Sequence, residues 1–113
     1  MNKSVIFIGF GSIGQRHYSN LLDVFKNIKA KTYIGENKRE ITKRPNNKLS
    51  FKNIEVIFNK NQLKTELELL VAGDIVLICN RSSDHSFFLE FVNLYVKKDV
   101  LIVVEKPLAT ELF

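Results

Sequence analysis

Val5-Ile6-Phe7-Ile8-Gly9-Phe10-Gly11-Ser12-Ile13-Gly14 is the stretch that decides how this chain folds. Its first four residues are apolar and three of them are β-branched, as in a strand covered on both faces. Three glycines then follow at the spacing Gly-x-Gly-x-x-Gly, and each has a separate job. Gly9 permits a tight turn out of the strand, and Gly11 keeps the backbone bare where a pyrophosphate must come close. Gly14 lets the next helix settle against the sheet. The first amides of that helix, at Ser12 and Ile13, are free to bind phosphate, and the helix dipole assists them. The stretch therefore predicts a strand, a glycine turn and a helix that together receive a dinucleotide.

Two further apolar runs, residues 75–78 and 100–104, are short and rich in β-branched residues, and they too read as strands buried on both faces. Residues 31–34 and 54–58 are weaker strand candidates. Helical stripes lie between them. Tyr18, Leu21, Leu22 and Phe25 share one face of a helix beginning near Ser12. Leu63, Leu67, Leu70 and Val71 make a second stripe, closed by Gly73 in the manner of a helix C-terminus. Phe87, Phe88, Phe91, Val92 and Tyr95 make a third, with Ser82 or Ser83 as N-cap and Asp84 in the first turn. The order β-α-β-loop-β-α-β-α-β with right-handed crossovers gives an α/β, doubly wound parallel sheet of about five strands in the order 3-2-1-4-5. Residues 37–53 have no clear period and read as a long connection.

The rest of the composition sets limits. The 113 residues allow one domain, with 45% hydrophobic and 26% charged residues. Cys79 is the single cysteine, so an intrachain disulfide and a cysteine-rich metal site are excluded. At a strand end it reads as a small buried residue. No apolar run reaches the length of a membrane span, and the first strand is too short for a signal segment, so the expected location is cytoplasmic. The net charge of +5 comes from scattered lysines and not from a block, which reads as a solvated surface and not as a nucleic-acid interface.

Glu36 follows the second strand, about twenty residues beyond the last glycine, at the spacing of a ribose ligand. A carboxylate there accepts hydrogen bonds from ribose hydroxyls and repels a 2′-phosphate, which favours NAD. Lys38 and Arg39 beside it can instead reach a 2′-phosphate, so NADP stays open.

Ile8-Gly9-Phe10-Gly11-Ser12-Ile13-Gly14-Gln15-Arg16-His17, taken with Glu105-Lys106-Pro107-Leu108-Ala109-Thr110, resembles the glucose-fructose oxidoreductase / inositol dehydrogenase (Gfo/Idh/MocA) family. Ile78-Cys79-Asn80-Arg81-Ser82-Ser83-Asp84-His85 occupies the place of that family's turn after strand four, usually a Thr-Pro-x-x-x-His type of run. Arg81 stands where a proline is expected. The resemblance covers essentially the whole chain, which reads as one Rossmann domain over residues 1–113. The fingerprint and the Glu-Lys-Pro, about ninety residues apart, are more specific together than either is alone.

The resemblance implies an NAD(P)-dependent oxidoreductase that transfers hydride to or from a sugar, cyclitol or sugar nucleotide. It implies that Lys106 is the catalytic lysine, whose ammonium polarises a hydroxyl or carbonyl and helps relay a proton. Glu105 and Pro107 would fix the turn that carries it. Asn80, Arg81 and His85 would line the cofactor cleft at the carboxyl end of a strand. His17, on the first helix, reads as a packing residue. Family members carry a second α/β domain that holds substrate, and it is absent from these 113 residues, so little turnover is expected from them alone. Apolar surface left bare by that absence points to a homo-oligomer. The alternative is a non-catalytic dinucleotide-binding or oligomerising module.

Overall fold

β1 (Lys3–Ile8) forms where the sequence turns apolar, and Val5, Ile6, Phe7 and Ile8 are all buried. The computed structural model describes residues 3–9, 12–25, 27–33, 54–79 and 85–105. Within them the elements continue as α1 (Ser12–Val24), β2 (Ile28–Tyr33), β3 (Ile54–Ile57), α2 (Lys60–Leu69), β4 (Ile75–Ile78), α3 (His85–Tyr95) and β5 (Leu101–Val104). The five strands are parallel and lie in the order β3-β2-β1-β4-β5, as the sequence predicts.

Two-residue alternation sorts the strand residues between two cores. Ile6, Ile8, Val76 and Ile78 face α2 and α3, where Leu63, Leu67, Phe88 and Val92 cover them. Val5, Phe7, Ile75 and Leu77 face the other way, toward Tyr18 with Leu21 and Phe25. The Tyr18 ring meets Phe7 edge-on, with centroids 6.0 Å apart. The sheet is thus covered from both sides, as its apolar central strands require. Asn59 caps α2: its side chain accepts from Gln62 N–H at 2.8 Å, and Gln62 reaches back to Phe58 N–H at 3.2 Å.

Four local readings change. β2 begins at Ile28, three residues earlier than expected, because Ile28, Lys29 and Ala30 pair with Lys3, Ser4 and Val5 of β1. Within the strand, Lys31 Nζ lies 2.7 Å from Glu66 on α2 and 3.4 Å from Glu55 on β3. Burial pushes the Lys31 pKa down, but the Glu66 hydrogen bond and the charges of Glu66 and Glu55 outweigh it and leave it above the ordinary lysine range. α2 ends at Leu69, with Leu70 in extended conformation as its C-cap, so Gly73 does not close the helix. Val71 is consequently 57% exposed instead of completing the stripe. Leu22 likewise falls on the outer side of α1. β5, read as buried on both faces, is an edge strand with Leu101 55% exposed, since only β4 flanks it. The N-cap candidates Ser82, Ser83 and Asp84 and the stretch 37–53 lie outside the described residues.

The amino edge of the sheet is closed by Asp74, which is buried just before β4. Its carboxylate accepts from Ser4 N–H at 3.1 Å and from Val71 N–H at 2.8 Å. Its carbonyl accepts from Leu101 N–H at 2.9 Å, so one residue ties β1, β4 and β5 together. Gly73 beside it has φ 91°, and its N–H donates to the carbonyl of Asp99, which itself has φ 72°.

Candidate functional site

The carboxyl ends of four strands finish level. Ile8 is in register with Tyr33 on one side and with Ile78 on the other, and Ile78 with Val104. The residue that follows β1, β4 and β5 is in each case pinned to the neighbouring strand. Gly9 N–H donates to the Tyr33 carbonyl at 2.9 Å, Cys79 N–H to Ile8 at 2.8 Å, and Glu105 N–H to Ile78 at 3.0 Å. The chain lays β2 and β3 on one side of β1 but β4 and β5 on the other. Such a reversal opens a crevice above the strand ends, the usual place for a ligand in an open α/β sheet.

Gly9 enters that crevice with φ 89°, a conformation that a side chain would strain, and so the tight turn expected of it is present. α1 starts three residues later with no acidic side chain in its first turn. Its amino end therefore keeps its partial positive charge for an anion. Gly14 and Gln15 are buried on that first turn. A pyrophosphate fits these features: Gly9 with no side chain at the strand end, a helix start without an acidic side chain and a first turn buried at Gly14 and Gln15.

Of the residues singled out in the sequence, the structure brings Gly9, the helix start at Ser12, Ile13 and Gly14, and Glu105 to this one edge. His85 is the first residue of α3, the helix that follows β4. Gly11, Glu36, Asn80, Arg81, Lys106 and Pro107 lie outside the described residues.

His17 does more than pack. Its Nε2–H donates to Oε2 of Glu105, joining α1 to the end of β5 across 88 residues of sequence. Both side chains are partly buried, at 31% and 25% exposure, so water competes for the pair but does not surround it. No local pattern announces this contact. Strand alternation would have found it, since Val103 packs in the core beneath α1 and Glu105, two residues on, belongs to the same face.

Cys79 packs against that same core. Burial pushes its thiol pKa up, with the nearby Glu105 charge adding to the effect, to about 12. The thiol is therefore protonated at neutral pH and has no nucleophilic character there. Among the described residues no three His, Cys, Asp or Glu side chains are grouped to hold a metal ion. No described helix is long and apolar enough to cross a membrane.

Comparison with solved structures gives the same architecture. A short-chain dehydrogenase/reductase (wide type) of Veillonella parvula, in complex with NADP, superposes with a TM-score of 0.57 at 17% identity, covering 98% of this chain and 51% of the other. An ethylated short-chain dehydrogenase/reductase of the same organism gives 0.55 at 20% identity, with the same coverage. The likeness is one of fold, and the fold is Rossmann-like. The chain spans about half the length of these structures. No protein-family model matches the sequence, and no curated protein does either.

Proposed function

We propose that this chain is the cofactor-binding domain of an NAD(P)-dependent oxidoreductase of the Gfo/Idh/MocA type, acting on a sugar, cyclitol or sugar nucleotide. One observation carries the reading. Gly9, at φ 89°, turns out of the central strand at the point where the strand order reverses and leads into a helix with no acid in its first turn. That combination suits a pyrophosphate. The NADP held by one of the similar structures supports a nicotinamide cofactor on this fold.

In this reading the amides at Ser12 and Ile13 take the pyrophosphate, with Gly11 leaving room for it. Glu36 accepts hydrogen bonds from the adenosine ribose and sets the preference for NAD. Asn80, Arg81 and His85 line the nicotinamide side, and Glu105 and Pro107 shape the turn bearing Lys106. The cofactor, when bound, supplies the hydride acceptor or donor. Lys106 holds or releases the proton on the substrate oxygen. A substrate-holding domain is needed to bring the reacting carbon into line.

Fluorescence titration with NADH and NADPH, on the wild type and on Glu36→Ala, tests the reading. NADH is expected to bind more tightly than NADPH, and Glu36→Ala is expected to narrow or reverse the difference. Absence of binding by both cofactors would sink the function and leave only the fold.

A further inference from the structure

We infer that His17 is a positioning residue, a latch that holds Glu105 and so fixes the spacing between the phosphate-binding helix and the carboxyl end of β5. The inference rests on the dinucleotide-binding reading. Its own observations are separate from that reading.

The two halves of a dinucleotide site are built on different parts of this sheet. The phosphate side is the start of α1, which leaves β1. The reactive side is the ends of β4 and β5. β1 and β4 are joined by a strand ladder, and so are β4 and β5. That ladder fixes backbone level but does not fix how far α1 stands above β5. α1 meets the sheet through the buried Gly14 and Gln15 of its first turn and, beyond His17, through Tyr18, Leu21 and Phe25. The apolar contacts among these are non-directional. The His17–Glu105 hydrogen bond is directional, charge-assisted on the carboxylate side and partly buried. It sits one helical turn beyond the phosphate-binding amides and one residue before Lys106 in the sequence. Glu105 is meanwhile pinned by its backbone to Ile78, so His17 grips a group that is already held. The protonated Cys79 thiol, packed in the core below, places no second negative charge there at neutral pH.

A ligand that spans both sides gains from a fixed spacing, because the ordering is done before it binds. A ligand that touches only the helix side gains nothing. The test compares NADH with ADP, by fluorescence and calorimetric titration of the 113-residue chain. In His17→Ala the NADH Kd is expected to rise about tenfold while the ADP Kd stays within about twofold. His17→Gln should restore NADH binding, since its Nε2–H lies at the same distance along the side chain as that of the imidazole. Glu105→Ala should weaken NADH as His17→Ala does, and the double variant should be no worse than either one.

Parallel losses of NADH and ADP would mean that α1 is merely destabilised. A His17→Gln chain as weak as His17→Ala, or losses that multiply in the double variant, would equally overturn the latch. If His17→Ala does not fold, the His17→Gln and Glu105→Gln chains still decide. Glu105→Gln retains an acceptor and should keep most of the NADH affinity, and a tenfold loss there would count against a latch of this geometry. A wild-type chain that binds neither NADH nor NADPH defeats the dinucleotide reading itself and removes the role assigned to His17 with it.

Discussion

The two edges of this sheet are built from the same kinds of residue and put to different uses. At the amino edge a glycine of positive φ, Gly73, stands beside a buried carboxylate, Asp74, that is bonded to the backbone of β1 and of the turn before β4. At the carboxyl edge a glycine of positive φ, Gly9, stands level with Glu105, whose carboxylate meets a side chain on α1. The first carboxylate closes an edge by satisfying backbone donors. The second leaves the strand ends open to the crevice and joins a helix to them. The same pair of residue types thus ties backbone together at one edge and joins a helix to the strand ends at the other.

The sharpest way to break the contrast is Asp74→Ala. It takes the acceptor from the partly buried N–H groups of Ser4 and Val71, so the loss is expected to be about 2–3 kcal/mol in urea unfolding. NADH affinity of the folded fraction should be unchanged, and a matching loss of affinity would show that the edges are not independent.

Cys79 probes the other edge. With its thiol pKa at about 12, the thiolate is scarce at pH 8, although a more basic thiolate is also a better nucleophile. Alkylation of the folded chain should run on the order of a hundredfold slower than that of the unfolded chain. Glu105→Gln should recover part of the rate by removing the smaller of the two causes. The sign for stability follows. The folded state holds this proton more tightly, so the contribution is intact below about pH 9 and is lost as pH climbs toward about 12. Cys79→Ala should therefore flatten the alkaline limb of the stability curve, and an unchanged limb would contradict the assignment.

The two glycines give a smaller, paired comparison. Gly73→Ala and Gly9→Ala should each cost about 1–2 kcal/mol of stability, since each forces a Cβ into a left-handed backbone. Gly9→Ala should also lower dinucleotide affinity, whereas Gly73→Ala should not. Smallest of all, Asp99→Gly relieves a positive φ at the amino edge and should gain roughly 0.5–1 kcal/mol of thermal stability with no effect on binding.

Much of the fold was legible because it rests on local periodicity. The runs at β1 and β4 are apolar throughout, and Gly9 follows directly, which places the central strand and its turn without reference to anything distant. The strand order follows from right-handed crossovers once five strands are counted. What escaped is what depends on neighbours. Leu101-Ile102-Val103-Val104 is as apolar as Ile75-Val76-Leu77-Ile78, yet it is an edge strand, because burial is decided by what lies alongside. Ile28-Lys29-Ala30 has no apolar run of its own, and it joins β2 because Lys3-Ser4-Val5 lies alongside to pair with it. The site divides in the same way: the glycines carry their own conformational meaning, whereas His17 acquires its partner only when β5 is laid next to β4.

The position of β1 has a consequence for how the chain is made. It is translated before the other four strands and lies at the centre of the order they form. β2 follows it closely, but Ile75, the first β4 partner of Val5, is translated about seventy residues later. At roughly 5–20 residues per second, Val5-Ile6-Phe7-Ile8 waits about 4–14 s with one side unpaired. High contact order of this kind slows refolding and leaves a sticky, strand-forming segment open to other nascent chains. The most deeply buried strand of the native sheet is thus the one that a cell must shield longest while the protein is being born.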